Sequence, residues 1–342
     1  MSEQPVLIEA TRGRIAESYH RGCVAVVESD GDVVASSGSI TSTTFMRSTA
    51  KPIQMLPLLV SGAADRFGFT ESELAIMAAS HSGEPIHTAQ VESILSKIGL
   101  DKSYLHCGVH LPFDKHVQQE LGGRTPDVLQ NNCSGKHSGM LAQCVAGGYD
   151  PANYESPDHP IQIEIRRTIA LFAGVTVNEI EIGVDGCSAP VFGIPVQAMA
   201  RAYAQFVNPV NLDQKYQSAC KRVVDAMLNH PELVAGTRNR VDTDIMKVCD
   251  HSVIAKVGAE GVYAMGVLPN KKYPNGLGIA IKIEDGNDRA TGPAAVETLD
   301  QLGLFSESQQ GQLSCWQERS IKNHSGSFVG ELRPAFELDF EL

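Results

Sequence analysis

No stretch of this sequence approaches the roughly eighteen consecutive apolar residues of a bilayer-spanning helix, so no membrane span is expected. The opening residues, Met1-Ser2-Glu3-Gln4-Pro5, carry no basic segment followed by an apolar run, and no secretory signal is read there. Positive charge is scarce: 28 Lys and Arg face 40 Asp and Glu, a formal net charge of -12. Such a surface repels phosphate backbones and anionic headgroups, which argues against nucleic acid and membranes as partners. The eight cysteines include no CxxC pair. In a long chain with its own core a disulfide framework is not needed, and reduced, buried thiols are expected. Internal repeats, heptads and low-complexity segments are missing too. These absences leave a soluble, cytoplasmic globular protein as the expectation.

What is present starts with bulk. The chain has 342 residues, 42% of them hydrophobic, enough for a sizeable core in one large or two fused domains. Two β-rich runs, Gly22 to Ser29 and Asp32 to Ser36, meet at Asp30-Gly31, a strong hairpin signal. Thr70-Glu71-Ser72-Glu73 is a capping box, and the helix it starts should end near Ser80 to Gly83. Further helices are expected at 87–98, 135–146, 161–172, 196–206, 214–228 and 292–302. Strands are expected at 179–184, 252–256, 261–267, 276–283 and 326–338.

Hairpin, many helices, several strands, helix: this order suits an α+β fold whose antiparallel sheet takes strands from both chain ends. The absence of βαβ alternation counts against a doubly wound sheet. One unit over 1–342 is expected, with the sheet from about 1–45 and 250–342 and a mostly helical region over about 46–249.

The sharpest chemical feature is Ser48-Thr49-Ala50-Lys51, followed by Pro52 where a first helical turn tolerates proline. On a helix, i and i+3 share a face, about 5–6 Å apart at Cβ. A serine hydroxyl is a weak nucleophile until a base takes its proton, and a lysine whose pKa is lowered by burial can be that base. SxxK alone also occurs by chance at exposed helix starts. Lys256-Val257-Gly258 adds weight, because a KxG early in the C-terminal strands matches the order found in penicillin-recognising enzymes. There a lysine offers charge to a substrate carboxylate, and the glycine leaves room for substrate. An ordinary edge lysine is the plainer alternative.

Several blocks together resemble the rhizobial-type L-asparaginase family, also called asparaginase II, over nearly the whole chain. They are Met46 to Pro52, Ala79-Ser80-His81-Ser82-Gly83-Glu84, Asn131-Asn132-Cys133-Ser134-Gly135-Lys136-His137-Ser138-Gly139-Met140, Val184 to Pro190 and Lys256 to Gly261. The resemblance implies a serine β-lactamase-like or glutaminase-like fold, a homodimer, and hydrolysis of L-asparagine to L-aspartate and ammonia. It also implies two Ser-Lys pairs, Ser48 with Lys51 and Ser80 with Lys256. Ser48 would be the nucleophile and Lys51 its base, while Ser80 and Lys256 would relay protons and position substrate.

The same resemblance implies a zinc ion held by Cys133, Lys136 and Cys187. Because two thiolates and a metal-bound amine can hold a site together without chemistry, zinc is expected to tune affinity and not to be required for the chemical step. Thiolates suit zinc, whereas lysine must bind as the neutral amine; His137 is the more ordinary ligand on first principles but points elsewhere on its helix. Two buried thiols without metal remain the plainer reading. Arg47 and Asp185 complement the α-carboxylate and α-ammonium of an amino-acid substrate, and His137 is a third candidate to hold it. Gly135-Lys136-His137-Ser138 is not a P-loop, because Gln130 stands where glycine is required and His137 interrupts Lys-Ser. A glutaminase or penicillin-recognising hydrolase is the rival among enzymes; a non-catalytic amino-acid or metal sensor is the rival outside them.

Overall fold

The turn at Asp30-Gly31 joins strands Ile15–Val27 and Val33–Ser37, which pair antiparallel with Val26 opposite Ala35. Gly31 has φ +105, a conformation nearly closed to residues with a Cβ. The computed structural model describes residues 4–341. The chain divides into two units. The first holds the chain up to Thr49, Ile194–Asn208 and the chain from Asp244 onward; the second holds Ala50–Gly193 and Pro209–Thr243.

The first unit is built on an antiparallel sheet of nine strands among the described residues. Its main path runs Arg319–Lys322, Phe328–Pro334, Val6–Arg12, Ile15–Val27, Leu277–Ile283, Val262–Val267 and Val253–Gly258. Val33–Ser37 adds to the long strand, and Asp339–Phe340 adds to Val33–Ser37. Strands from both chain ends therefore interleave, as the element order predicts. Helices Val196–Val207 and Thr291–Gln301 pack on this sheet. The first lies almost directly on it: a Cβ at Gly278 would fall 1.8 Å from the Ala200 carbonyl oxygen. Ala200 and Ala204, one turn apart, keep that helix surface low.

Strand Val6–Arg12 was not expected from the sequence. Register shifts between Val6 and Ile8 and between Ala10 and Thr11 break its alternation, so Leu7 and Ile8 are both buried and no period of two survives. Helix Glu307–Gln317 escapes for a related reason: Leu313 is its only buried residue, too little for a helical stripe.

The second unit is largely helical. Thr70 caps helix Glu71–Met77 with both capping-box bonds formed. This helix packs against Pro85–Lys97, Ser134–Gly147 and Gln214–Asn229. Gly135 sits so close to the end of Glu71–Met77 that a Cβ would meet the Ile76 carbonyl oxygen at 2.0 Å. That contact brings Cys133 and Lys136 towards the chain at Ala79 and Ser80. Strands Glu181–Val184 and Pro190–Pro195 form a hairpin, Val184 opposite Pro190, whose loop carries Asp185 and Cys187. Among the described residues no helix is long and apolar enough to cross a membrane. Cys315 is exposed, and the other seven thiols are free and buried.

Candidate active site

The first unit carries Ser48. The chain turns at Arg47 with φ +50, a left-handed conformation unusual for a residue with a side chain and costing about 1–3 kcal/mol. A 3₁₀ turn, Arg47–Ala50, then runs straight into helix Lys51–Gln54 with Pro52 in its first turn. Thr49 holds the strained turn together. Its Oγ1 donates to the Met46 carbonyl oxygen at 2.7 Å, and its own carbonyl accepts from the hydroxyl of buried Tyr203 at 2.7 Å. Ser48 is half-buried, as is Arg47, which lies 3.8 Å from exposed Glu260. An ion pair of that length at the surface contributes little stability.

Strand Val253–Gly258 packs against the same turn. A Cβ on Gly258 would stand 3.1 Å from the Met46 carbonyl oxygen and 3.2 Å from Thr49 Cγ2. Gly258 thus packs closely against the turn bearing Ser48. Lys256, two residues back, lies on the same face of the strand. It is fully buried, and its Nζ donates to the Val257 carbonyl oxygen at 2.9 Å. A Gly258→Val protein should lose about 1–3 kcal/mol of stability through overpacking. A lowered urea midpoint is the readout; an unchanged midpoint would show that the turn yields freely.

The second unit carries Lys51. It is 1% exposed, and its Nζ donates to the Ala79 carbonyl oxygen at 2.8 Å, Ser80 Oγ at 3.0 Å and the Asn132 carbonyl oxygen at 3.2 Å. Met55, Met77 and Met140 line a void of about 10 Å³ beside it, at or below the room one water needs. Burial pushes the Lys51 pKa down from the ordinary lysine value; Lys136 pushes it the same way, and the two nearby sulfurs oppose. A buried lysine whose pKa is lowered, bonded to a serine hydroxyl, is able to move a proton.

Near it lies a sulfur cluster. One ligand atom each from Cys133, Asp185 and Cys187 fall within 4.8 Å of one another. Lys136 Nζ donates to Cys187 Sγ at 2.9 Å, and Cys187 Sγ is 3.5 Å from Asp185 Oδ2. Bonding to Cys133 pulls Cys187 down towards thiolate, while bonding to Cys187 and burial push Cys133 up. Burial alone would lower Lys136, but the charges of Cys187, Cys133 and Asp185 overcome it and raise the pKa. His137 is fully buried, with Nδ1 bonded to Tyr154 Oη at 2.6 Å and Nε2 beside the Cys187 sulfur without a hydrogen bond of good geometry. Two sulfurs, a carboxylate oxygen and an amine are a donor set that fits a borderline-soft divalent cation such as zinc.

The structure therefore collects Lys51 with Ser80, and Cys133, Lys136 and Cys187 with Asp185, within the second unit. Ser48, Arg47 and Lys256 fall in the first. Sequence reasoning missed Tyr203 and placed Asp185 with substrate alone. A tyrosine inside an apolar helix carries no pattern that marks it, whereas Asp185, two residues before Cys187, is close enough to have been a metal candidate. A cavity of about 690 Å³ elsewhere in the second unit, walled by Pro57, Arg66, Tyr149 and Ile163, contains none of these residues.

Comparison with known proteins adds three findings. A search of curated proteins returned no match. Among solved structures the chain is similar to a probable glutaminase from Bacillus subtilis complexed with 6-diazo-5-oxo-L-norleucine, at 15% identity over 85% of this chain and 87% of that one, TM-score 0.41. It is also similar to Mglu in its native form, at 14% identity over 89% of this chain and 70% of that one, TM-score 0.44. Residues 8–334 match the family model described as L-asparaginase II, so the chain belongs to that family of amidohydrolases.

Proposed function

We propose that the protein hydrolyses L-asparagine to L-aspartate and ammonia, with Ser48 as nucleophile and Lys51 as its base. Lys51 carries the reading: burial favours its neutral form, and it stands one helical turn along the chain from Ser48. Neutral Lys51 takes the Ser48 proton as the serine oxygen bonds to the side-chain amide carbon. The Lys51 ammonium then returns a proton to the departing nitrogen, the C–N bond breaks, and ammonia leaves an aspartyl ester on Ser48. Water attacks the ester while Lys51 takes its proton; Lys51 then returns that proton to the Ser48 oxygen as the ester C–O bond breaks, and aspartate is released. Ser80, bonded to Lys51, relays the proton, with Lys256 in support.

Arg47 and Asp185 would meet the substrate's α-carboxylate and α-ammonium. We assign His137 to substrate binding only through Cys187, since its ring is enclosed. Cys133, Lys136 and Cys187 would hold zinc with Asp185 at hand. Bound zinc would supply Lewis-acid coordination that fixes Cys133, Lys136 and Cys187 in place, and so would set affinity. A homodimer, implied by the family resemblance, is expected by light scattering.

Zinc binding requires deprotonated ligands. Cys133 and Lys136 both hold protons in the metal-free cluster, so about two protons should be released per zinc near neutral pH. Calorimetry in buffers of differing ionisation heat counts them. Release of a single proton would mean that Lys136 stays an ammonium and Asp185 ligates in its place.

The deciding assay measures ammonia released from L-asparagine and L-glutamine, and ring opening of a β-lactam by its absorbance change, with and without zinc. Asparagine should turn over. Glutamine, longer by one methylene, should be discriminated by only about 1–3 kcal/mol, and the β-lactam should be inert. No ammonia from asparagine under any condition would end the proposal and favour a sensor.

A further inference from the structure

We propose that Arg240 is a positioning residue for Ser80, a role that rests on Ser80 relaying protons in the reaction proposed above. Ser80 belongs to a segment, Ala79 to Glu84, that lies in neither helix nor strand. The backbone groups of such a buried segment must find partners outside any regular ladder. Here the chain from Val234, which ends a short helix, to Arg240 supplies partners for them. The Ser80 N–H donates to the Val234 carbonyl oxygen at 2.9 Å. One Arg240 nitrogen, Nη2, donates to the Ser80 carbonyl oxygen at 2.9 Å. The other, Nη1, donates to Ser82 Oγ at 2.9 Å and to the Ala235 carbonyl oxygen at 2.8 Å.

Two further features fix the clamp. Arg240 is 12% exposed and lies 3.4 Å from the carboxylate of fully buried Asp242, so its charge is balanced within the fold. A Cβ on Gly236 would come within 2.4 Å of Ser82 Oγ, so the loop presses directly on the segment it holds. Lys51 bonds the Ser80 hydroxyl while Arg240 bonds its carbonyl. Ser80 is thus pinned at both ends. A planar fork reaches Ser80 and Ser82 from two separate nitrogens, whereas an ammonium must serve every acceptor from a single nitrogen.

A double-mutant cycle tests this. Arg240→Gln should lower kcat for asparagine by about tenfold or more with KM changed less than about threefold. Arg240→Gln with Asp242→Asn, which removes the uncompensated carboxylate, should show the same loss with a Tm near that of the parent. Arg240→Lys should not recover the rate. In a Ser80→Ala background, adding Arg240→Gln should lower kcat by no more than about twofold, because Arg240 acts through Ser80. A full further tenfold loss there would reduce Arg240 to a fold-holding role and overturn the proposal. If Ser80→Ala alone keeps the parental rate, the relay itself is wrong and the proposal falls with it, a failure visible before Arg240 is touched.

Discussion

Ser48→Ala should lower asparagine turnover by about 10⁴-fold or more while leaving Tm and the urea midpoint close to those of the parent. The size follows from the step removed. Without a hydroxyl there is no ester intermediate, and what remains is whatever the site does for direct attack by water. The small effect on stability follows from the surroundings. Ser48 is half-buried, whereas the bonds that hold its turn are made by Thr49 and Tyr203. Rates by ammonia release and a thermal melt on one preparation separate the two quantities. A variant that unfolds would show that the hydroxyl stabilises the turn, and one that keeps its rate would remove Ser48 from the chemistry.

Lys51→Met should have the second largest effect, about 10²–10⁴-fold in kcat, the range of a lost general base. Its stability is the more instructive number because two opposing effects meet. The substitution leaves the Ala79 and Asn132 carbonyls and Ser80 Oγ short of a donor, and each buried acceptor left unsatisfied costs about 1–3 kcal/mol. Against this, it removes a group whose charged form is penalised by several kcal/mol on burial. The lowered pKa of Lys51 shows that burial outweighs its stabilising neighbours. The two contributions should therefore nearly cancel, and a Tm within a few degrees of the parent is expected alongside lost activity. The pH profile carries the same sign. Activity should rise as Lys51 loses its proton, with an inflection below the free-lysine value of about 10.4. A rate that falls as pH rises through neutrality would contradict a lysine base.

The parts of the fold that were legible in the sequence are those where local chemistry and tertiary packing agree. Asp30-Gly31 demands a hairpin, Thr70 and Glu73 demand a helix start, and both are found. The long Val6–Arg12 strand was hidden by its own bulges, and Glu307–Gln317 by having almost nothing to bury. The site divides in the same way. Ser48, Lys51, Cys133 and Lys136 announce themselves by i, i+3 spacing. The bond between Lys51 and Ser80 joins residues 29 apart, and no local rule predicts it. Tyr203 and Arg240 act by bonding backbone carbonyls, Thr49 and Ser80 respectively. Support of that kind depends on where the chain passes, and residue type alone does not encode it. Gly258, which the motif suggests leaves room for substrate, also lies against the Ser48 turn, a contact no local pattern reveals.

A diazo-ketone analogue of asparagine, followed by peptide mapping of the covalent adduct, asks directly which atom attacks. The account requires the label on the peptide bearing Ser48, slower labelling in Lys51→Met and none in Ser48→Ala. Label on Ser80, on Thr49 or on a cysteine of the cluster, with Ser48 unmodified, would contradict it.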